Sequence, residues 1–86
     1  MKDLNDARLR INDIDDKMKS LFIERMNIIK DVALYKKENN LPIFDAKREE
    51  EMKERLSKDT GELKEHYLEL LSTILKESKK FQEKIY

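Results

Sequence analysis

From Leu4 to Tyr35 the apolar residues return in steps of three and four, and no glycine or proline interrupts them. The series is Leu4, Ala7, Ile11, Ile14, Met18, Leu21, Ile28, Val32 and Tyr35, with one polar gap after Leu21. That spacing puts every member on one seam of an α-helix. The helix is expected over about residues 3–38. Asn39-Asn40-Leu41-Pro42 stops it, because the ring of Pro42 cannot continue a helix and also restrains Leu41. Thirty-odd residues at about 1.5 Å each make a rod of roughly 50 Å. A compact chain of this size has a diameter of only about 30 Å. The rod outruns its own domain, and two short helices can cover only part of its seam. A second copy of the chain, related by a two-fold axis, supplies the rest, so an intertwined homodimeric helical bundle is expected.

The remaining sequence has room for two shorter helices. Asp45 suits the N-cap of a helix over about 46–58, with Met52 and Leu56 inward. Thr60-Gly61 ends it, glycine there suiting a C-terminal cap. A third helix is expected over about 62–85, with Leu63, Tyr67, Leu70, Leu71, Ile74, Phe81 and Ile85 along one side. The fold class is therefore all-α: a three-helix chain with a very long first helix, forming one domain over residues 1–86. A single glycine, a single proline and a charged fraction of 44% agree with helices whose outer faces are wet. The Glu49-Glu50-Glu51 run and the Lys79-Lys80 pair read mostly as solvated face.

Composition also excludes several classes of function. No cysteine is present, so neither a disulfide nor a thiolate metal site is available. Nineteen basic and nineteen acidic residues cancel, leaving no global field to attract nucleic acid or an anionic membrane. The longest apolar runs, such as Val32-Ala33-Leu34-Tyr35, are too short to span a bilayer. Met1-Lys2-Asp3 lacks the apolar stretch of a secretory signal, so a cytoplasmic location is expected. The one histidine, His66, lies away from the polar positions singled out below and reads as structural.

The informative residues are those that break the apolar stripes. Arg25 occupies the seam of the first helix between Leu21 and Ile28, where a leucine is expected. A guanidinium keeps its proton, so a buried one needs an anion. Arg8 and Lys36 flank the same seam near opposite ends. In the third helix Ser78 interrupts the stripe between Ile74 and Phe81, and Gln82 lies one turn further on. In the second, Asp45, Arg48, Glu49, Met52 and Leu56 share a face by their spacing. Two readings fit. In one, Arg25 is a buried polar residue that fixes helix register, paired with Glu49. In the other, Arg8, Arg25, Lys36 and Arg48 exceed the inward acids and await an external anion.

At these residues the sequence resembles the helical (AroQ-type, type II) chorismate mutases, over nearly the whole chain. The resemblance runs through Arg8-Leu9-Arg10-Ile11, Ile14-Asp15, Leu21-Phe22-Ile23-Glu24-Arg25 and Val32-Ala33-Leu34-Tyr35-Lys36. It continues in Pro42-Ile43-Phe44-Asp45-Ala46-Lys47-Arg48-Glu49 and ends with Glu77-Ser78 and Gln82. The resemblance implies rearrangement of chorismate to prephenate in Phe and Tyr biosynthesis, with no cofactor and no metal. It implies that Arg25 of one chain and Arg8 of its partner bind the two substrate carboxylates. Lys36 and Gln82 would donate to the ether oxygen, and Glu49, with the backbone near Asp45, would take the ring hydroxyl. Arg48 and Ser78 would assist with a carboxylate or support neighbouring side chains. Lys36, Gln82 and Arg25 are thus the implied catalytic groups. The connection Ser57–Glu62 looks shorter than is usual for the family. No dehydrogenase, dehydratase or effector-binding segment accompanies the mutase core, which implies a stand-alone enzyme without feedback control. Two rivals remain: an isochorismate pyruvate-lyase on the same scaffold, and a non-enzymatic helical dimerisation module that binds a partner helix through its seam.

Overall fold

The computed structural model describes residues 3–86, and its secondary structure is entirely helical. Helix α1 runs Leu4–Glu38, α2 runs Ala46–Leu56, and α3 runs Lys64–Ile85 after a single 3-10 turn at Gly61–Leu63. The chain measures 54 × 24 × 15 Å with a radius of gyration of 16.2 Å. A compact chain of this length would have a radius near 12 Å. The excess is α1 itself, whose 35 residues span about 52 Å.

Each end of α1 has a local cause. Asp3 is extended, and its carboxylate accepts the Asp6 N–H at 2.7 Å, which caps the first turn. At the other end Asn40 is left-handed at φ 54°. There the Leu41 N–H reaches the Lys36 carbonyl at 2.8 Å and the Asn40 N–H reaches that of Lys37 at 3.4 Å. This is the paired closure of a Schellman motif, with asparagine in the place that glycine usually takes. Pro42 then keeps the chain extended as it crosses to α2.

Helix α2 begins where expected, with Asp45 as its N-cap. It ends earlier, at Leu56, followed by a turn over Ser57–Asp59. Gly61 does not cap α2. The left-handed residue that follows α2 is Asp59, at φ 60°, whereas Gly61, at φ 58°, opens the 3-10 turn into α3.

Helix α3 packs against both other helices, while α1 and α2 do not approach each other closely. Along α1 and α3 the contacts advance together, Arg25 with Ser78 and Lys36 with Tyr86, so these two helices run parallel. Along α2 and α3 they advance oppositely, Glu49 with Lys79 and Met52 with Leu71 and Leu75, so that pair is antiparallel. The core is small. Met52, Leu71 and Leu75 form its cluster with Leu56 against it, and Ala33 is the fully buried residue of α1. Leu75, absent from the expected stripe, is central to the core, whereas Leu63 and Leu70 are exposed.

The N-terminal half of the α1 seam does not face its own domain. The line that packs on α3 is the neighbouring one, through Met26, Ile29 and Ala33. Every residue from Arg8 to Glu24 is exposed, including Ile11, Ile14, Met18, Leu21 and Phe22. Seventeen consecutive helical residues are therefore wet on all sides, with apolar groups recurring at helical spacing. No described helix is long and apolar enough to cross a membrane.

The core cluster is so small that Leu75→Ala should cost about 2–5 kcal/mol, the range for truncating a buried leucine. Chemical denaturation followed by circular dichroism should show loss of the cooperative transition or a large fall in its midpoint.

Candidate active site

Where α1 and α2 are held apart by α3, a cavity of about 470 Å³ opens between the three helices. Arg25 and Lys36 enter it from α1, Asp45, Arg48 and Glu49 from the start of α2, and Ser78, Lys79 and Gln82 from α3. Ile28, Ile29, Val32, Ile43, Met52 and Leu75 complete the wall. Seven of the eight residues singled out in the sequence thus meet in one place. The eighth, Arg8, is exposed and does not line this cavity. It lies 17 residues before Arg25 on one continuous helix, about 25 Å away along the axis.

Arg25 and Lys36 are held by neutral groups, whereas Arg48 is exposed. Arg25 Nη1 donates to Ser78 Oγ at 2.6 Å, and Ser78 donates to the Ile74 carbonyl one turn back at 2.8 Å. The serine is 3% exposed, so this arrangement replaces water around part of the guanidinium. Lys36 Nζ donates to the Ile43 carbonyl at 2.8 Å. Both groups keep N–H donors to spare, since a guanidinium has five and an ammonium three. Burial first, and the Arg48 guanidinium second, lower the proton affinity of Arg25 below its ordinary value. An arginine shifted in this direction still remains charged at neutral pH.

Glu49 is not the partner of Arg25. Its Oε2 lies 3.2 Å from Lys79 Nζ, and that ammonium also sits 4.6 Å above the Phe44 ring. The other ion pairs among the described residues, Arg10 with Asp6 and Lys80 with Glu77, lie outside the cavity. Among the described residues Arg25, Lys36 and Arg48 therefore have no carboxylate within 4.0 Å. Four cations against two carboxylates leave the lining with an excess of two positive charges.

Gln82 adds a second unmet demand. It is 5% exposed, and its Oε1 has no hydrogen-bond partner. A buried polar atom left unpaired costs about 1–3 kcal/mol, which leaves Gln82 Oε1 as an acceptor open to a donor from outside the chain. Asp45 does two jobs: its Oδ1 accepts the Arg48 N–H at 3.0 Å as the cap of α2, and it faces the cavity. His66 is exposed on α3 and takes no part.

Comparison with known families supplies a frame for this geometry. The family model for chorismate mutase type II matches residues 7–83. The chain belongs to the chorismate mutase type II family. Searches of curated proteins and of solved structures return no match. The seven cavity-lining residues singled out in the sequence, and Arg8, all lie within the matched span.

Sequence reading missed Lys79, taking it with Lys80 as solvated face. The available signal was its place one helical turn after Leu75, a core residue, which aims it at α2. The roles of the Ile43 carbonyl and the Phe44 ring had no sequence signal, because both come from the path of the α1–α2 loop.

Asp45→Ala should lower stability by about 1 kcal/mol through loss of the α2 cap, and Asp45→Asn should leave stability unchanged because asparagine caps as well. Thermal unfolding of the two variants measures this directly.

Proposed function

We propose that this cavity binds chorismate and converts it to prephenate. The observation that carries the reading is the set of three unpaired cations, Arg25, Lys36 and Arg48, around one cavity with a net excess of two positive charges. Chorismate is a dianion of matching charge. Its rearrangement breaks a C–O bond and forms a C–C bond in one concerted step, with no proton transfer and no covalent intermediate. What such a reaction needs is a compact conformer held in place and a donor where negative charge grows on the ether oxygen. A site of fixed cations and amides, without nucleophile or general base, suits that demand.

In this reading Arg25 forks to one substrate carboxylate, its plane kept by Ser78. Lys36 uses the donors left after its bond to Ile43 to meet the ether oxygen. Gln82 turns its amide NH2 to the same atom. Glu49 accepts the ring hydroxyl through the oxygen not engaged by Lys79. Arg48 strengthens the field around the carboxylates.

Arg8 belongs to the same reading only if it comes from a second chain, because about 25 Å of rigid helix separates it from the cavity of its own chain. A homodimer that buries the exposed seam of α1 would deliver it. The exposed Ile11, Ile14, Met18 and Leu21 support such an association. In this form the enzyme works without metal or cofactor, and the location expected from the sequence is cytoplasmic.

Incubation of purified protein with chorismate, followed by detection of prephenate, tests the reading. Release of pyruvate from isochorismate instead would identify a lyase, and inertness toward both would favour a binding module. Lys36→Ala should reduce turnover by at least about 10²-fold with little change in folding, the scale expected for an electrostatic donor. Near-normal turnover by that variant would reject the role. A mixture of inactive Arg8→Ala and Arg25→Ala proteins should regain activity after subunit exchange, since one site of a mixed dimer holds both arginines. Confirmed exchange without recovery would argue against a shared site.

A further inference from the structure

The cavity contains one charge pair that the rearrangement does not call for: Glu49 of α2 with Lys79 of α3, 3.2 Å apart. We propose that Lys79 is a positioning residue that holds the Glu49 carboxylate away from Arg25 and Arg48, so that both guanidiniums stay open to a dianionic ligand. The identity of that ligand as chorismate rests on the function proposed above; the charge argument does not.

Glu49 lines the same cavity as the two guanidiniums, and its side chain is only 16% exposed. A carboxylate so placed needs a counter-ion. The other cations of the lining are Arg25, Lys36 and Arg48, and the forked donors of the two guanidiniums match a freed carboxylate in bidentate fashion. That internal pairing would occupy the donors meant for the ligand. Removal of the Lys79 charge would also leave three cations against two carboxylates, an excess of one in place of two.

Lys79 is well seated for this task. Its ammonium is held from two sides, by Glu49 Oε2 and by the face of Phe44 at 4.6 Å. Phe44 follows Ile43, whose carbonyl holds Lys36. One lysine therefore braces α2 and the α1–α2 loop from α3. Only one oxygen of Glu49 is engaged, so the other remains free to accept a ligand hydroxyl.

The test compares the parent chain, Lys79→Met, Glu49→Gln and the double variant. Each is assayed for KM and kcat with chorismate and, by calorimetry, for its Kd with phthalate, an unreactive cyclic dianion. Methionine keeps the length of the stem and its packing on Phe44 while removing the charge. Lys79→Met should raise KM and the phthalate Kd about tenfold, the scale of one charge-assisted hydrogen bond given up to the freed Glu49 carboxylate. Adding Glu49→Gln should bring both back to within about twofold of Glu49→Gln alone, because the freed carboxylate is gone. The kcat of the double variant should stay at that of Glu49→Gln, in which a neutral amide oxygen replaces the carboxylate as hydroxyl acceptor. Lys79→Arg, which preserves the charge, should keep parental affinity and controls for loss of fold.

A double variant as weak as Lys79→Met would show that Lys79 touches the ligand itself and would overturn the proposal. Parental affinity in Lys79→Met, or loss of affinity in a folded Lys79→Arg, would also overturn it. A parent that shows the phthalate pattern but leaves chorismate unchanged removes the mutase reading and keeps the role of Lys79. A parent that binds neither compound removes both.

Discussion

Arg25, Lys36 and Arg48 share one cavity without a carboxylate to neutralise them, and the rest of the site is arranged around that excess of charge. Charges removed from water need either an opposite charge or a full set of hydrogen bonds. Here the chain supplies hydrogen bonds and withholds the anions. Ser78 takes one guanidinium nitrogen, the Ile43 carbonyl takes the ammonium, and the one half-buried carboxylate able to compete is tied to Lys79. Arg25 registers the consequence, with its proton affinity lowered by burial and by Arg48. Two guanidiniums that repel each other favour any anion that comes between them. Ligand binding should for that reason add to the stability of the fold as well as draw on it.

Such a site is demanding for so small a chain. Among the described residues four apolar ones are buried, Ala33, Met52, Leu71 and Leu75, and no large side chain is wholly enclosed. Meanwhile α1 presents a line of half-exposed aliphatic side chains across its free length. Covering a side chain of that kind contributes roughly 1–2 kcal/mol. The proposed dimer would therefore contribute more apolar burial than the domain contains, and the same event would bring Arg8 to the partner's cavity. Association and site assembly would then be one process.

The sequence made some levels of this structure more legible than others. The extent of α1 follows from local chemistry: Asp3 caps it, the Asn39-Asn40 pair closes it, and Pro42 prevents its return. Two of the residues that line the cavity stood out in the sequence because they broke an apolar rhythm. Arg25 and Ser78 stand where leucines would, and they prove to be hydrogen-bonded to one another. Lys79 gave no such signal, since a lysine beside Lys80 on a helix is ordinary surface until the neighbouring helix is known. Leu75 was passed over because the stripe was drawn through Leu70 and Ile74, and a rotation of less than one residue decides which flank of α3 meets Met52. Gly61 was read as a cap because glycine commonly ends helices. In this chain Asp59 takes the left-handed conformation first, and Gly61 is used to turn the chain into α3.

The loop between α1 and α2 joins the two halves of the argument. It must end one helix, start another, and place Ile43 and Phe44 where Lys36 and Lys79 can use them. The Lys36 carbonyl receives the Leu41 N–H, while its ammonium donates to the Ile43 carbonyl. Both ends of this residue are therefore fixed by the same short segment. The Tyr86 hydroxyl, from the far end of α3, donates to the carbonyls of Lys36 and Leu41 and fastens that segment to the helix that carries Ser78 and Gln82. A donor held in this way loses little orientational freedom when charge develops in front of it, and that is the condition under which a single ammonium contributes most to a transition state. Rigidity at Lys36 thus comes from turn chemistry and a terminal tyrosine, with little help from the small apolar core.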